Sequence, residues 1–411
     1  MSVGTGDFGG RIVVQFRLDG DRVADVHIQS SRPISAIRVL EGLPAQQAID
    51  LLPRLFSICG VAHQHAALAA CERAAGQTIS AKEDAARTFL LLAETAREHA
   101  RRVLLDWPAI IGEPPAIEPL RLLRDVATRL ERALFPTGPW ARLGGGVAAP
   151  DIPVLRAVLA RLEAALADAV LGEERFHIWP DLPSFERWCR NGKTAPARAL
   201  GWVLDQGLGN FGCSDVGDLP PMDAAALDTI LSADTADAFA AMPTWNGRPC
   251  LTGSLTRMRG HPLIAALTRR DGDGLLPLLV ARLVELLSLA GEMRALIPRL
   301  EDDDARQPMS KADGKALALV EMSRGTLIHW VALEGDQVAR YRIVAPTEWN
   351  FHPRGALFAG LLGVRATTAE ALRARAVLLV AALDPCVTAD VRLPELDPNE
   401  REPLSDMSVT E

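Results

Sequence analysis

A mainly helical α+β fold is what the sequence predicts, on three observations. Long runs place apolar residues at mixed three- and four-residue spacing, the period of one helix face. Two segments far apart in the chain alternate apolar and polar residues around a glycine flanked by carboxylates, as hairpins do. Hydrophobic residues make up 48% of the 411-residue chain, enough to bury a sizeable core.

The first hairpin spans Arg11 to Ser30 and turns at Asp19-Gly20-Asp21, where glycine accepts the positive φ of a tight turn. The second pairs Thr326 to Leu333 with Gln337 to Ala345 through Glu334-Gly335-Asp336, with β-branched and aromatic residues on both sides. Each hairpin alone leaves an apolar face bare, so the two are expected to share one small antiparallel sheet built from N- and C-terminal segments. Between them the chain reads as helices. Lys82 to Asp106 carries Phe89, Leu92, Ala96, Val103 and Leu104, and Pro108 marks its end. Ile152 to Leu171 lines up Leu155, Leu159, Leu162 and Leu166 and stops at Gly172. Leu275 to Leu300 follows the Asp271-Gly272-Asp273-Gly274 turn and is interrupted at Pro298.

Pro136 to Pro153, with Gly144-Gly145-Gly146, reads as a loop, and Glu301 to Asp313 as a polar, mobile one. Neither need be a domain boundary. The expectation is a single domain over 1–392 and an acidic, flexible tail over 393–411.

A net charge of −8, with arginines dispersed along helical stretches, lacks the basic footprint that nucleic acid requires. The first ten residues have no basic start or apolar block, and the most apolar windows are too short or interrupted by Arg282 and Glu285. Neither a secretory signal nor a membrane helix is predicted, which makes a cytoplasmic protein the expectation. The six cysteines include no CxxC pair, which argues against zinc-ribbon, iron-sulfur and thioredoxin-type sites. Cys71, Cys189, Cys213 and Cys250 are expected to be buried packing residues.

Two cysteines have more informative neighbours. Ser57-Ile58-Cys59-Gly60-Val61-Ala62-His63 precedes an alanine-rich helical run, which puts Cys59 at a helix N-terminus. Unpaired N–H groups there favour a thiolate, a better nucleophile or metal ligand. His63, four residues on, shares that face and could meet the same metal or act as base to the thiol. An ordinary core helix produces the same pattern, and on spacing alone that reading is favoured; His65 lies off the face as a surface or packing residue. Leu383-Asp384-Pro385-Cys386-Val387-Thr388-Ala389-Asp390 presents a cysteine where an apolar segment turns, and in isolation Cys386 reads as a buried structural cysteine.

Taken in order, these motifs resemble those of the large subunit of [NiFe]-hydrogenases, which carries Cys-Gly-x-Cys near its N-terminus and Asp-Pro-Cys-x-x-Cys-x-x-His near its C-terminus. The resemblance continues through Glu321-Met322-Ser323-Arg324-Gly325, Val344-Ala345-Pro346-Thr347-Glu348-Trp349-Asn350 and Phe351-His352-Pro353-Arg354, with a fainter echo at Leu251 to Arg257. It implies the helical large-subunit fold with a small sheet, and metal ligation by Cys59 and Cys386. It also implies that Arg324, Pro346 and Thr347 approach iron-bound cyanides, with Arg324 and Thr347 as donors. Without the resemblance, Arg324 reads as an ordinary ion pair and Thr347 as a strand-end cap.

The departures are specific. Ala62 and Ala389 stand where the family has its bridging cysteines, and Arg392 where it has its final histidine; Met1 to Arg11 contain no counterpart of the proton-transfer glutamate motif. A bridged nickel-iron site is therefore not expected. The pattern resembles the HupK/HoxV group of hydrogenase accessory proteins, which implies a non-catalytic maturation scaffold that transiently holds an Fe(CN)2(CO) unit. The partners this implies are a HypC-type chaperone and the hydrogenase large subunit. Two other readings stay open: a metal-free interaction module that mimics the large subunit for chaperones, and a divergent hydrogenase or thiol enzyme.

Overall fold

Two three-stranded sheets, not one, flank a helical body. The computed structural model describes residues 10–145, 148–172, 179–302 and 313–392. Strands β1 (Arg11–Asp19) and β2 (Arg22–Ser30) form the first hairpin, with Gly20 at a φ of 58° in its turn. Their sheet is completed by β6 (Thr388–Arg392), which runs parallel to β1 and pairs Ile12 with Ala389. The second hairpin, β4 (Gly325–Glu334) and β5 (Gln337–Val344), pairs instead with β3 (Lys315–Met322). This corrects the expectation of a sheet shared by both hairpins. Each bare edge finds a partner from its own neighbourhood in space, and the rest of each apolar face is covered by helices.

The helices in order are α1 (Ala45–Leu55), α2 (Gly60–Ala74), α3 (Ala81–Arg101), α4 (Ile117–Leu134), α5 (Ile152–Leu166), α6 (Leu182–Asn191), α7 (Ala195–Asp205), α8 (Ala224–Ser232), α9 (Ala236–Ala241), α10 (Ser254–Met258), α11 (Pro262–Asp271), α12 (Leu275–Glu301), α13 (Pro346–Asn350), α14 (Ala356–Leu361) and α15 (Ala369–Leu383). Local chemistry sets their starts: the Ser80 hydroxyl accepts from the Glu83 N–H, and the Asp151 carboxylate from that of Val154. Helix α3 runs on through a π turn, Arg102–Asp106, before the turn containing Pro108. Helix α12 continues through Pro298, because a proline in the last turn removes only one backbone hydrogen bond close to an end that would fray anyway.

From Leu275 to Leu286 every residue of α12 is buried, and α3 packs along it. Helix α2 lies across β3 and β4. The opposite face of that sheet, with Trp330 and Ile328, closes a smaller core against Leu227, Leu231, Ala240 and Trp349. The predicted glycine loop carries no helix or strand among its described residues up to Asp151, its last two residues, Ile152 and Pro153, already opening α5, and the Gly144 N–H donates to Glu72. Most of the predicted mobile loop after Glu301 and the whole acidic tail lie outside the described residues. No described helix is long and apolar enough to cross a membrane.

Candidate functional site

Cys59 and Cys386 line one cleft of about 950 Å³, with Arg32, Arg54, Arg101 and Arg102 around them. Two local features bring them there. Cys59 is the residue before the first turn of α2, which is fixed against the second sheet. Cys386 follows the end of α15, where Asp384 takes the left-handed conformation (φ 55°) and Pro385 prevents the helix from continuing. The chain then enters β6 beside β1, so the first sheet anchors the Cys386 loop.

Around Cys386 the contacts run to the sulfur. The Thr347 hydroxyl donates to its Sγ at 3.0 Å and accepts from its backbone N–H at 3.2 Å. Arg32 Nη1 donates to the same sulfur at 3.4 Å and to Glu348 Oε1 at 3.1 Å. Pro346 opens α13, the short helix that carries Thr347 and Glu348.

Around Cys59 the contacts bypass the sulfur. The Glu94 carboxylate accepts from the N–H groups of Val61 and Ala62, both at 2.9 Å, and so occupies the helix N-terminus. Burial pushes the Cys59 thiol up, the nearby Cys386 and Glu94 add to the rise, and Arg324 and Arg32 oppose it. The expectation of a thiolate favoured by the helix end is therefore corrected: the dipole is spent on Glu94, and desolvation governs the sulfur. Glu94 itself is raised to about 7 by burial, although its two backbone donors pull the other way.

Arg324 is buried behind the cleft, beside a small pocket that it shares with Ser254, Arg282 and Asn350. Its Nη2 donates to Glu98 at 3.3 Å, its Nη1 to Ser323 Oγ at 3.3 Å, and its Nε lies 3.5 Å from Asp384. Asp384 also meets Arg102 at 2.6 Å and Arg282 at 3.6 Å. These contacts are ionic, since neither oxygen of Asp384 has an aligned hydrogen-bond donor. Burial opposes ionisation of Asp384, but Arg324, Arg282 and Arg102 hold its carboxyl well below the usual range.

His63 turns to other partners. Its ring stacks on Phe56 at 3.9 Å, and its Nδ1 lies 3.0 Å from Nε2 of His329, whose Nδ1 is 2.7 Å from the Tyr341 hydroxyl. Burial, then His329 and Arg32, lower the pKa of His63, and burial lowers His329 to about 3. The pair is neutral and structural, which is the core alternative for this helix. His65 is half-buried. Cys71, Cys189 and Cys250 are buried as expected; Cys213 is exposed, which corrects the packing role given to it. Ala62 is fully buried, Ala389 lines the cleft, and Arg392 is taken up by Asp390 at 2.8 Å. Among the described residues no three His, Cys, Asp or Glu side chains group as a metal site.

Sequence reasoning missed Arg32, Glu94 and Glu98. Arg32 carried a weak signal, an arginine fixed between the end of a strand and Pro33. Glu94 and Glu98 stand among the polar residues between the apolar positions of α3, and only their burial reveals them.

The as-isolated oxidised Ni-Fe-Se hydrogenase of Desulfovibrio vulgaris Hildenborough superposes with a TM-score of 0.67 at 16% identity, covering 90% of this chain and 94% of that one. Residues 280–391 match the family model for nickel-dependent hydrogenases. The fold is thus that of a hydrogenase large subunit, with two cysteines on its cleft and alanines at the two companion positions. The hydrogenase expression/formation protein HoxV of Cupriavidus necator is 34% identical over 381 residues, 90% of this chain and 93% of its own. HupV of Azotobacter chroococcum is 30% identical over 396 residues, 93% and 98% of the two chains. The chain belongs to this HoxV/HupV/HupK family of hydrogenase expression/formation proteins.

Proposed function

We propose that this chain serves hydrogenase maturation as a non-catalytic scaffold that holds an Fe(CN)2(CO) unit as cargo between Cys59 and Cys386 before it passes to the hydrogenase large subunit. One observation carries the reading: two cysteines from opposite ends of the chain share a cleft, while Ala62 and Ala389 withhold the sulfurs that would bridge a second metal. Thiolates are soft donors suited to low-spin iron carrying cyanide and carbon monoxide. The donor set fits such cargo, because the Cys386 sulfur already accepts from a hydroxyl and a guanidinium at the mouth of the cleft.

Two ligands with no bridge make a site that binds without retaining. Cys59 must surrender a proton that burial holds tightly, so loading releases protons and falling pH favours release of the cargo. Arg324 and Thr347, with Pro346 fixing the turn of α13, are the residues we assign to the cyanides. Arg324 is held ready by Glu98 and Asp384. Delivery needs a donor of the iron unit, and a small HypC-type chaperone is the partner we assign.

Infrared spectroscopy on the protein purified from cells making hydrogenase tests the proposal. Metal-bound cyanide and carbon monoxide bands are expected, and they are expected to disappear in Cys59→Ala and in Cys386→Ala. A protein without such bands that still copurifies with the chaperone would establish the metal-free interaction module instead.

A further inference from the structure

We infer that Arg32 and Glu348 form a second recognition arm for the cargo, on the Cys386 side of the cleft, specific for an anionic, hydrogen-bond-accepting diatomic ligand such as metal-bound cyanide. This rests on the cargo reading above and adds Arg32, which lies outside the hydrogenase-like motifs, as a binding element held by Glu348.

Arg32 follows β2 directly, and its side chain is only 8% exposed, yet it lines the cleft together with both cysteines. All its hydrogen bonds leave from Nη1: to Glu348 Oε1 at 3.1 Å, to Glu348 Oε2 at 3.4 Å and to Cys386 Sγ at 3.4 Å. Its Nε and Nη2 have no hydrogen-bond partner among the described residues. A guanidinium presents five N–H groups in one plane, and those of Nε and Nη2 are not enclosed by protein, so they stand open to an acceptor arriving in the cleft that Arg32 lines. Arg324, by comparison, donates to Ser323 and Glu98, and its Nε, enclosed and without a hydrogen-bond partner, lies 3.5 Å from Asp384. Of the two arginines, Arg32 is the one whose unbonded donors lie on the cleft with both cysteines.

The group is also held still. Glu348 binds one end, and the guanidinium lies over the Phe56 ring at 5.3 Å from its centroid. Glu348 sits beside Thr347 on α13, so the carboxylate that aims Arg32 and the hydroxyl that aims Cys386 move as one piece. A ferrous ion with two thiolates and two cyanides carries net negative charge, and a fixed cation touching one of those sulfurs offsets part of it. Cyanide nitrogen accepts a hydrogen bond far better than carbon monoxide oxygen does, so the arm selects cyanide.

The test uses the full chain purified from cells making the iron unit, read by infrared spectroscopy and thermal melting. Arg32→Met alone would strand the buried Glu348 carboxylate, so the informative variant is Arg32→Met with Glu348→Gln. It is expected to fold and to retain about a tenth or less of the cyanide absorbance per protein, a tenfold loss corresponding to ~1.4 kcal/mol. Arg32→Lys, which keeps the charge and loses the planar fork, is expected to load partly and with a shifted cyanide band; a purely structural role would lower loading without moving the band. A folded double variant with wild-type bands, or a loaded Arg32→Lys with unshifted bands, overturns the inference and leaves the cargo reading intact. A wild-type protein without cyanide bands overturns both.

Discussion

Cys59 sits at a helix N-terminus whose donors are already taken by Glu94, whereas Cys386 lies in a loop where donors from Thr347 and Arg32 reach its own sulfur. The first thiol is buried and favours its proton; the second is partly exposed and already hydrogen-bonded as an acceptor. For the proposed cargo this asymmetry implies binding in two stages, Cys386 first. The asymmetry arises from packing: α3 supplies a carboxylate to one loop, and the turn after β5 supplies a hydroxyl to the other.

The strongest way to break the comparison is to remove what fixes the Cys386 loop from behind. Asp384→Asn leaves Arg324, Arg282 and Arg102 without their shared carboxylate, and the expected loss of stability is ~3–5 kcal/mol by urea unfolding. Asparagine tolerates the left-handed φ of 55°, so backbone strain does not contribute. With the loop loosened, alkylation of Cys386 should accelerate while Cys59 stays protected. A loss below ~1 kcal/mol would mean that the three arginines are solvated without Asp384.

Glu94 probes the other loop. Its folded pKa, about 7, lies above the ordinary carboxylate value of 4.5, so between those limits the folded state binds more protons than the unfolded one. Its contribution to stability is therefore fully present below pH 4.5 and is lost as pH rises to 7, by about 3 kcal/mol. Glu94→Gln should abolish that slope. The buried histidines act in the opposite sense, since His329, lowered to about 3, costs stability as pH falls below 6.5. The readout is thus the difference between the urea midpoints of the two proteins across pH 4.5 to 7, and a constant difference would remove Glu94 from the account of Cys59.

Much of this frame was legible in the sequence and part of it was not. Hairpin turns at Gly20 and Gly335, the long apolar α12 and the approach of Cys59 to Cys386 follow from periodicity, turn chemistry and the large-subunit motifs. Strand β6 was hidden: its five residues are too few for an alternating pattern, and parallel pairing to β1 has no local turn signal. The Cys59 thiol was misjudged because a helix N-terminus is read from sequence, but a carboxylate arriving from another helix is not. Arg32 and Glu348 lie 316 residues apart, so nothing local joined them.

The smallest effect is the most direct test of the asymmetry. Thr347→Val keeps the shape of the side chain and deletes only the hydroxyl that donates to Cys386 Sγ and accepts from its N–H. One half-buried N–H then loses its partner and one sulfur loses a donor, for an expected loss of ~1 kcal/mol. Thr347→Ser retains the hydroxyl and should retain most of the stability. Hydrogen exchange at the Cys386 amide should quicken in the valine variant, while the Val61 and Ala62 amides, held by Glu94, should not change. Equal acceleration at both loops would show that the two thiols are held by one cooperative unit, and the two-stage order of binding would lose its structural basis.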